Sequence, residues 1–267
     1  MTREGNCITH LADEMRGMRE NRVVLEAIIR RNLVGRFKGS YLGFVWHIIM
    51  PVLMIVVLYI VFGSIRTKPV ENFWVYLSAG MFPMMFLSGC LRGRALQANS
   101  RYITGMRIPR STVVLSSVIT DFIGVIFAYV FIIMVILLSG QHVNWFGMAM
   151  LPVELFLMFM FGLGCSLLVS TMTVFVGDIG NALNIAMRLV FWITPTFFLV
   201  GEASGLLGAI IWYNPLTYYV ETFHQILYYG MFPDTILIVA SVVLSAAMLL
   251  IGWWAFDRKQ ARFPEVL

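Results

Sequence analysis

Apolar residues run almost unbroken through six stretches that begin near Phe44, Phe73, Val113, Met148, Asn181 and Thr235, and polar residues gather in the short segments between them. A helix needs roughly 20 apolar residues to cross a hydrocarbon core about 30 Å thick. A helix apolar on every side has no face for water, so the pattern predicts six transmembrane helices rather than a soluble bundle. One segment reads differently. Over residues 18–34, Val23, Val24, Leu25, Ala27, Ile28, Ile29, Leu33 and Val34 alternate at helical spacing with Arg19, Arg22, Glu26, Arg30 and Arg31. That spacing predicts an amphipathic helix lying in the membrane interface. The expected fold is all-α and integral to the membrane, with an arm over residues 1–43 followed by a six-helix domain over 44–267.

Composition agrees, because 60% hydrophobic and 12% charged residues cannot furnish the surface of a soluble protein of 267 residues. Charge adds orientation. Arg3, Arg16, Arg19, Arg22, Arg30, Arg31, Arg36 and Lys38 precede the first stretch, Arg92, Arg94, Arg101, Arg107 and Arg110 lie between the second and third, and Arg258, Lys259 and Arg262 follow the sixth. The opposite loops hold only Arg66 and Lys68. Basic residues in short loops are retained on the cytoplasmic side, so both termini are expected in the cytosol and the chain in the cytoplasmic (inner) membrane. The net charge of +5 is accounted for by this topology and implies no nucleic-acid partner.

No cleavable leader is expected, since residues 1–43 are polar and basic without a short apolar core. Cys7, Cys90 and Cys165 are not placed for an extracytoplasmic disulfide and read as free thiols. Nothing supplies a Ser or Cys with a neighbouring His base, a zinc-type His-Glu-x2-His, or two carboxylates on one helix face. His47, His142 and His224 are scattered. An enzyme of lipid or glycan metabolism is therefore disfavoured. A phosphate loop of the form Gly-x4-Gly-Lys-Ser/Thr is absent, so energy from ATP would have to come through another chain.

Charges at membrane depth cost about 2.5–3.5 kcal/mol on insertion scales and usually face protein or a wet cavity. Asp121 in the third stretch and Arg188 in the fifth are expected to face inward, with pairing between them left open, and Glu154 sits near the outer end of the fourth.

Two local motifs carry more. After the amphipathic segment the chain reads Arg31, Asn32, Arg36, Phe37, Lys38, Gly39, Leu42, Gly43, then Trp46 and Pro51. Arg36 and Lys38 would hold this junction at head-group level, Gly39 and Gly43 would allow the turn into the membrane, and Trp46 belongs to an aromatic belt. The order resembles the transmembrane subunits of ABC-2 type polysaccharide exporters, which handle O-antigen, capsule or teichoic acid. Members of that family show an Arg-Asp pair, a basic-aromatic-basic triplet, then Leu-Gly, Trp and Pro; here Asn32 replaces the Asp and Phe37 the usual Tyr. The segment is either a surface anchor or an interfacial gate built on Arg31, Arg36, Phe37, Lys38 and Trp46.

The second motif lies between the fifth and sixth stretches, where Asn214-Pro215-Leu216-Thr217-Tyr218 resembles the Asn-Pro-Leu segment of the same exporters. The resemblance implies two short re-entrant outer helices over residues 202–233. Trp212, Tyr213, Tyr218, Tyr219, Phe223 and Glu221 would line the exit, unless they form only an aromatic belt; aromatic faces stack on the apolar faces of sugars. Pro195 is expected to bend the fifth helix. In the basic loop before Pro109, the resemblance implies a coupling helix over residues 93–102 in which Arg94, Leu96, Asn99, Arg101 and Tyr102 meet an ATPase. The implied function is the membrane subunit of an ATP-driven exporter of lipid-linked polysaccharide. It would work as a homodimer with two ATPase subunits that bind the ATP and Mg²⁺, and this chain would hold no cofactor. An exporter of a small amphiphile or drug is the alternative.

Overall fold

The computed structural model describes residues 22–35, 45–65, 70–92, 96, 110–138 and 144–263. Regular structure among them is helical throughout: α1 (Arg22–Gly35), α2 (Trp46–Ile65), α3 (Phe73–Cys90), α4 (Arg110–Leu138), α5 (Leu151–Phe175), α6 (Asp178–Ile193), α7 (Gly205–Ile210), α8 (Pro215–Leu227) and α9 (Thr235–Lys259). Among the described residues, four helices are long and apolar enough to cross a membrane: α3, α4, α5 with the short turn Trp145–Met148 before it, and α9. The other two apolar stretches are also helical, with 20 residues in α2 and 16 in α6. Within α2 the apolar run is Ile49–Ile65. The 16 residues of α6 span about 24 Å. The reason is Pro195: Thr194, in front of it, is extended at φ −70°, ψ 137°, so α6 stops there instead of bending.

α3 is the central post of the bundle. Tyr76, Leu77, Met84 and Leu87 are fully buried, and α2, α4, α5 and α8 pack around it. Small residues make this possible, because a Cβ on Gly80 would lie 2.9 Å from His224 Nε2 and 3.1 Å from Thr196 Cα. Pro83 removes one N–H from the ladder of α3 and leaves the carbonyl of Ala79 without its usual donor. The Tyr129 hydroxyl of α4 donates to that carbonyl at 3.2 Å. A defect in one helix is thereby repaired by its neighbour, as the absence of water inside a bilayer demands.

α5 and α9 cross at two glycines, where a Cβ on Gly252 would meet the carbonyl oxygen of Gly164 and one on Gly164 would meet that of Met248. Such close approach is how small residues join helices in lipid.

A second, separate core closes the basic end of the bundle. Ile28 from α1 and Leu96 from the loop after α3 join Val113, Val114, Leu167, Trp253, Phe256 and Phe263, all buried. Arg110 donates through Nη1 to the carbonyl of Gln260, which ties the start of α4 to the residues after α9. α1 is thus docked on the bundle through Ile28 while Val23 and Val34 stay exposed.

Candidate functional site

At the basic end, Arg31 is exposed and donates from Nη2 to Asn32 Oδ1 at 3.3 Å, and Trp46 is exposed at the start of α2. Arg36, Phe37 and Lys38 lie outside the described residues, as do Arg94, Asn99, Arg101 and Tyr102. Leu96 is fully buried in the second core. The ion pair of Arg22 Nε with Glu26 Oε1, 2.9 Å and exposed, is of the kind worth about 0.3–0.5 kcal/mol on a helix surface.

The membrane-depth charges have three different environments. Glu154 is buried, and its Oε1 accepts from Ser241 Oγ at 2.9 Å. Asp121 lines a cavity between α2, α3 and α4. Arg188, expected inside, is exposed on the outside of this bundle, and no ion pair between Asp121 and Arg188 occurs among the described residues. The difference follows from how α6 packs. It leans on α5 and α3 by one flank, burying Gly180 and Met187, and leaves the other bare. Asn181 and Arg188 on that side stand beside the exposed Ile185, Leu189 and Trp192, so the exposed face is mainly apolar with polar groups set into it. Asn184 between them turns its Nδ2 back onto the Gly180 carbonyl at 2.8 Å.

At the opposite end, Asn214 organises the aromatic segment. Its Oδ1 accepts from the Leu216 N–H at 3.0 Å, capping α8, while its Nδ2 donates to Thr194 Oγ1 at 2.7 Å. Pro215 follows at the first helical position, where its missing N–H costs nothing. Gln225 and Asp234 close the loop into α9 reciprocally: Gln225 Nε2 donates to Asp234 Oδ2, and the Asp234 N–H to Gln225 Oε1, both at 2.7 Å. The six aromatic and acidic residues singled out here divide. Trp212 and Tyr213 are exposed and Tyr218 is half-buried, with its hydroxyl on the Trp212 carbonyl at 3.1 Å. Tyr219, Glu221 and Phe223 point into the bundle and are buried.

Glu221 and Tyr219 belong to two buried polar clusters that the sequence did not announce, while Phe223 stacks on Tyr129. The His224 ring stacks on Tyr76 at 3.7 Å between centroids. Its Nδ1 lies 3.2 Å from Glu221 Oε2 and its Nε2 lies 3.1 Å from the Tyr76 carbonyl. A carbonyl can only accept, so Nε2 is the donor to Tyr76. Tyr76 in turn donates to the Phe198 carbonyl at 2.8 Å, and the Tyr219 hydroxyl sits 2.6 Å from Ser245 Oγ, which donates to the Leu157 carbonyl at 2.8 Å. The spacing of Glu221 and His224, three apart on one helix, was the available signal. Their partner Tyr76 is 148 positions away.

No group of three or more His, Cys, Asp or Glu placed to hold a metal occurs among the described residues. The architecture is that of a multi-pass membrane protein whose polar groups bind helices to one another. A family model for the ABC-2 type transporter matches residues 24–228, and the chain belongs to that family. Members are transporter subunits rather than enzymes. Among curated proteins it is 23% identical over 249 residues to the O-antigen export system permease protein RfbA of Klebsiella pneumoniae, covering 91% of this chain and 95% of that one. It is 22% identical over 258 residues to the protein of the same name from Myxococcus xanthus (94% and 98% covered). With the polysialic acid transport protein KpsM of Escherichia coli it shares 20% over 240 residues (88% and 93%).

Proposed function

We propose that this chain is the membrane-spanning subunit of an ATP-driven exporter that moves a lipid-linked polysaccharide across the cytoplasmic membrane, as a homodimer with a passage between protomers. The observation that carries it is the exposed face of α6, where the charged Arg188 stands ten residues, about 15 Å, from the helix start among exposed apolar residues. A charge there costs about 2.5–3.5 kcal/mol against lipid, a cost that a second protomer or a water-filled path removes. The substrate class rests on the relatives, which are named for O-antigen export and polysialic acid transport.

In this reading α2 and α6 complete six spans, both termini are cytosolic, and the segment from α7 to α8 re-enters the outer leaflet. Trp212, Tyr213 and Tyr218 line the exit, while Arg31, Arg36, Phe37, Lys38 and Trp46 form the interfacial gate. Two ATPase chains holding ATP and Mg²⁺ dock on the loop after α3 through Arg94, Asn99, Arg101 and Tyr102, with Leu96 anchoring that loop to the bundle. The exposed face of α6 lines the path.

Co-expression with its ATPase is expected to yield a complex with equal numbers of both chains; transport by this chain alone, without ATPase, would overturn the proposal. Cysteines introduced at positions 204 and 100 test the topology. A membrane-impermeant thiol reagent added outside should label the first and spare the second, and the opposite result refutes the orientation. Replacing Trp212 and Tyr213 together by Ala should cut glycan export about thirtyfold at unchanged protein level, if each stacked ring contributes on the order of 1 kcal/mol. Unimpaired glycan export in that double variant removes the aromatic exit.

A further inference from the structure

We propose that the adjoining ends of α5 and α9 form a binding site for one anionic glycerophospholipid, its phosphate held by Arg258 and Lys259 and an acyl chain lying along the apolar flank beneath them. The 25 residues of α9 rise about 37 Å, more than a hydrocarbon core about 30 Å thick. Its last turn, which carries both cations, therefore stands at head-group level. Arg258 and Lys259 are exposed, yet each is held by an aromatic ring. The Arg258 guanidinium carbon lies 4.2 Å from the centre of the Trp254 ring, and Lys259 Nζ lies 5.7 Å from the centre of Phe175, the last residue of α5.

A ring face attracts a cation without neutralising it. Among the described residues neither cation is in an ion pair with a carboxylate, and Arg262 adds a third exposed positive charge. Asp257, the acid of this turn, lies about 160° round the helix from Lys259, and its Oδ1 accepts from Gln260 Nε2 at 2.9 Å. The supports are fixed relative to one another, because α5 and α9 touch through Gly164 and Gly252; the site is organised before the lipid arrives. Inward of the cations, Met172 on α5 and Leu250, Ile251 and Trp254 on α9 are exposed. Positions 250, 254 and 258 are four apart and share one stripe of α9, so an apolar strip leads from Arg258 towards the bilayer centre. A guanidinium fork beside an ammonium suits a phosphate. A zwitterionic head group would return an ammonium to a patch that already carries three cations, which selects the anionic class. The site requires only a bilayer around the chain, so its failure would leave the export reading standing.

The test titrates the full-length protein, in mild detergent, with phosphatidylglycerol, phosphatidylethanolamine or undecaprenyl phosphate, with binding read by native mass spectrometry. The wild type is expected to bind phosphatidylglycerol at least about tenfold more tightly than phosphatidylethanolamine. Arg258→Gln combined with Lys259→Gln should weaken phosphatidylglycerol about thirtyfold while melting like the wild type without lipid, since both side chains are exposed. Trp254→Leu keeps both charges and should weaken it about twofold to fivefold by releasing Arg258. Arg22→Gln combined with Arg30→Gln removes two cations elsewhere at the basic end and should change binding by less than about twofold. Equal losses in the two double variants would reduce the effect to general charge and overturn the site. Equal or tighter binding of phosphatidylethanolamine overturns the anionic class, and equal or tighter binding of undecaprenyl phosphate overturns the glycerophospholipid. A smaller particle mass for the Arg258 and Lys259 double variant would assign this face to a protein contact and overturn the site as well. Should that variant melt below the wild type, Arg258→Gln alone, expected to bind about fivefold more weakly, decides the same question.

Discussion

A Gly252→Val substitution is expected to abolish stable folding of the bundle, with a loss of more than about 3 kcal/mol. The reason is that the backbones of α5 and α9 touch: the added Cβ would have to occupy the position of the Gly164 carbonyl oxygen. Relief would require the helices to part, and the same interface holds the Ser241–Glu154 bond at 2.9 Å and the Ser245–Leu157 bond at 2.8 Å. Separation would therefore also strip a buried carboxyl of its donor, and a buried polar group without a partner costs about 1–3 kcal/mol more. Size-exclusion profile and thermal melting in detergent measure the effect. Gly164→Val should match it, since its Cβ would run into the Met248 carbonyl. A Gly252→Val protein that is monodisperse and melts within a degree or two of the wild type would show that the crossing is not close.

Leu96→Asp is expected to separate ATP hydrolysis from export while the chain still inserts. Leu96 is fully buried among Ile28, Val113, Val114 and Trp253, and a carboxylate placed there would lose its hydration at a cost of several kcal/mol. The loop escapes that cost by leaving the bundle. In the proposed complex this loop carries the ATPase, so motion of the ATPase would no longer reach α3 and α4. Membrane levels should stay near normal and export should fall by at least about tenfold, with hydrolysis by the partner either lost or no longer responsive to substrate. Leu96→Met, which keeps volume and apolarity, should retain most export. Normal coupling in Leu96→Asp would show that the loop acts without its anchor.

α1 illustrates how far local pattern reaches. Alternation over residues 18–34 predicts an interfacial amphipathic helix, and the structure has a helix over Arg22–Gly35. The same pattern does not distinguish Ile28, which docks into the second core, from Val23, which is exposed. The aromatic segment behaves alike. Asn214 and Pro215 are legible as a helix start, because capping is settled within three residues. Which rings face out is not, because Trp212 and Tyr219 differ only in the side of the helix bundle they meet.

Membrane residence, helical class, the starts of the long helices and the basic character of one end were decided residue by residue, since hydrocarbon length, apolarity and loop charge are local properties of the chain. Three-dimensional packing alone decided that α3 is the central post, that Glu154 is buried while Arg188 is bare, and that His224 rests on Tyr76. In lipid a side chain facing a neighbouring helix and one facing acyl chains are equally apolar, so hydropathy carries no sign of which is which. Only the contacts of the assembled helices separate them.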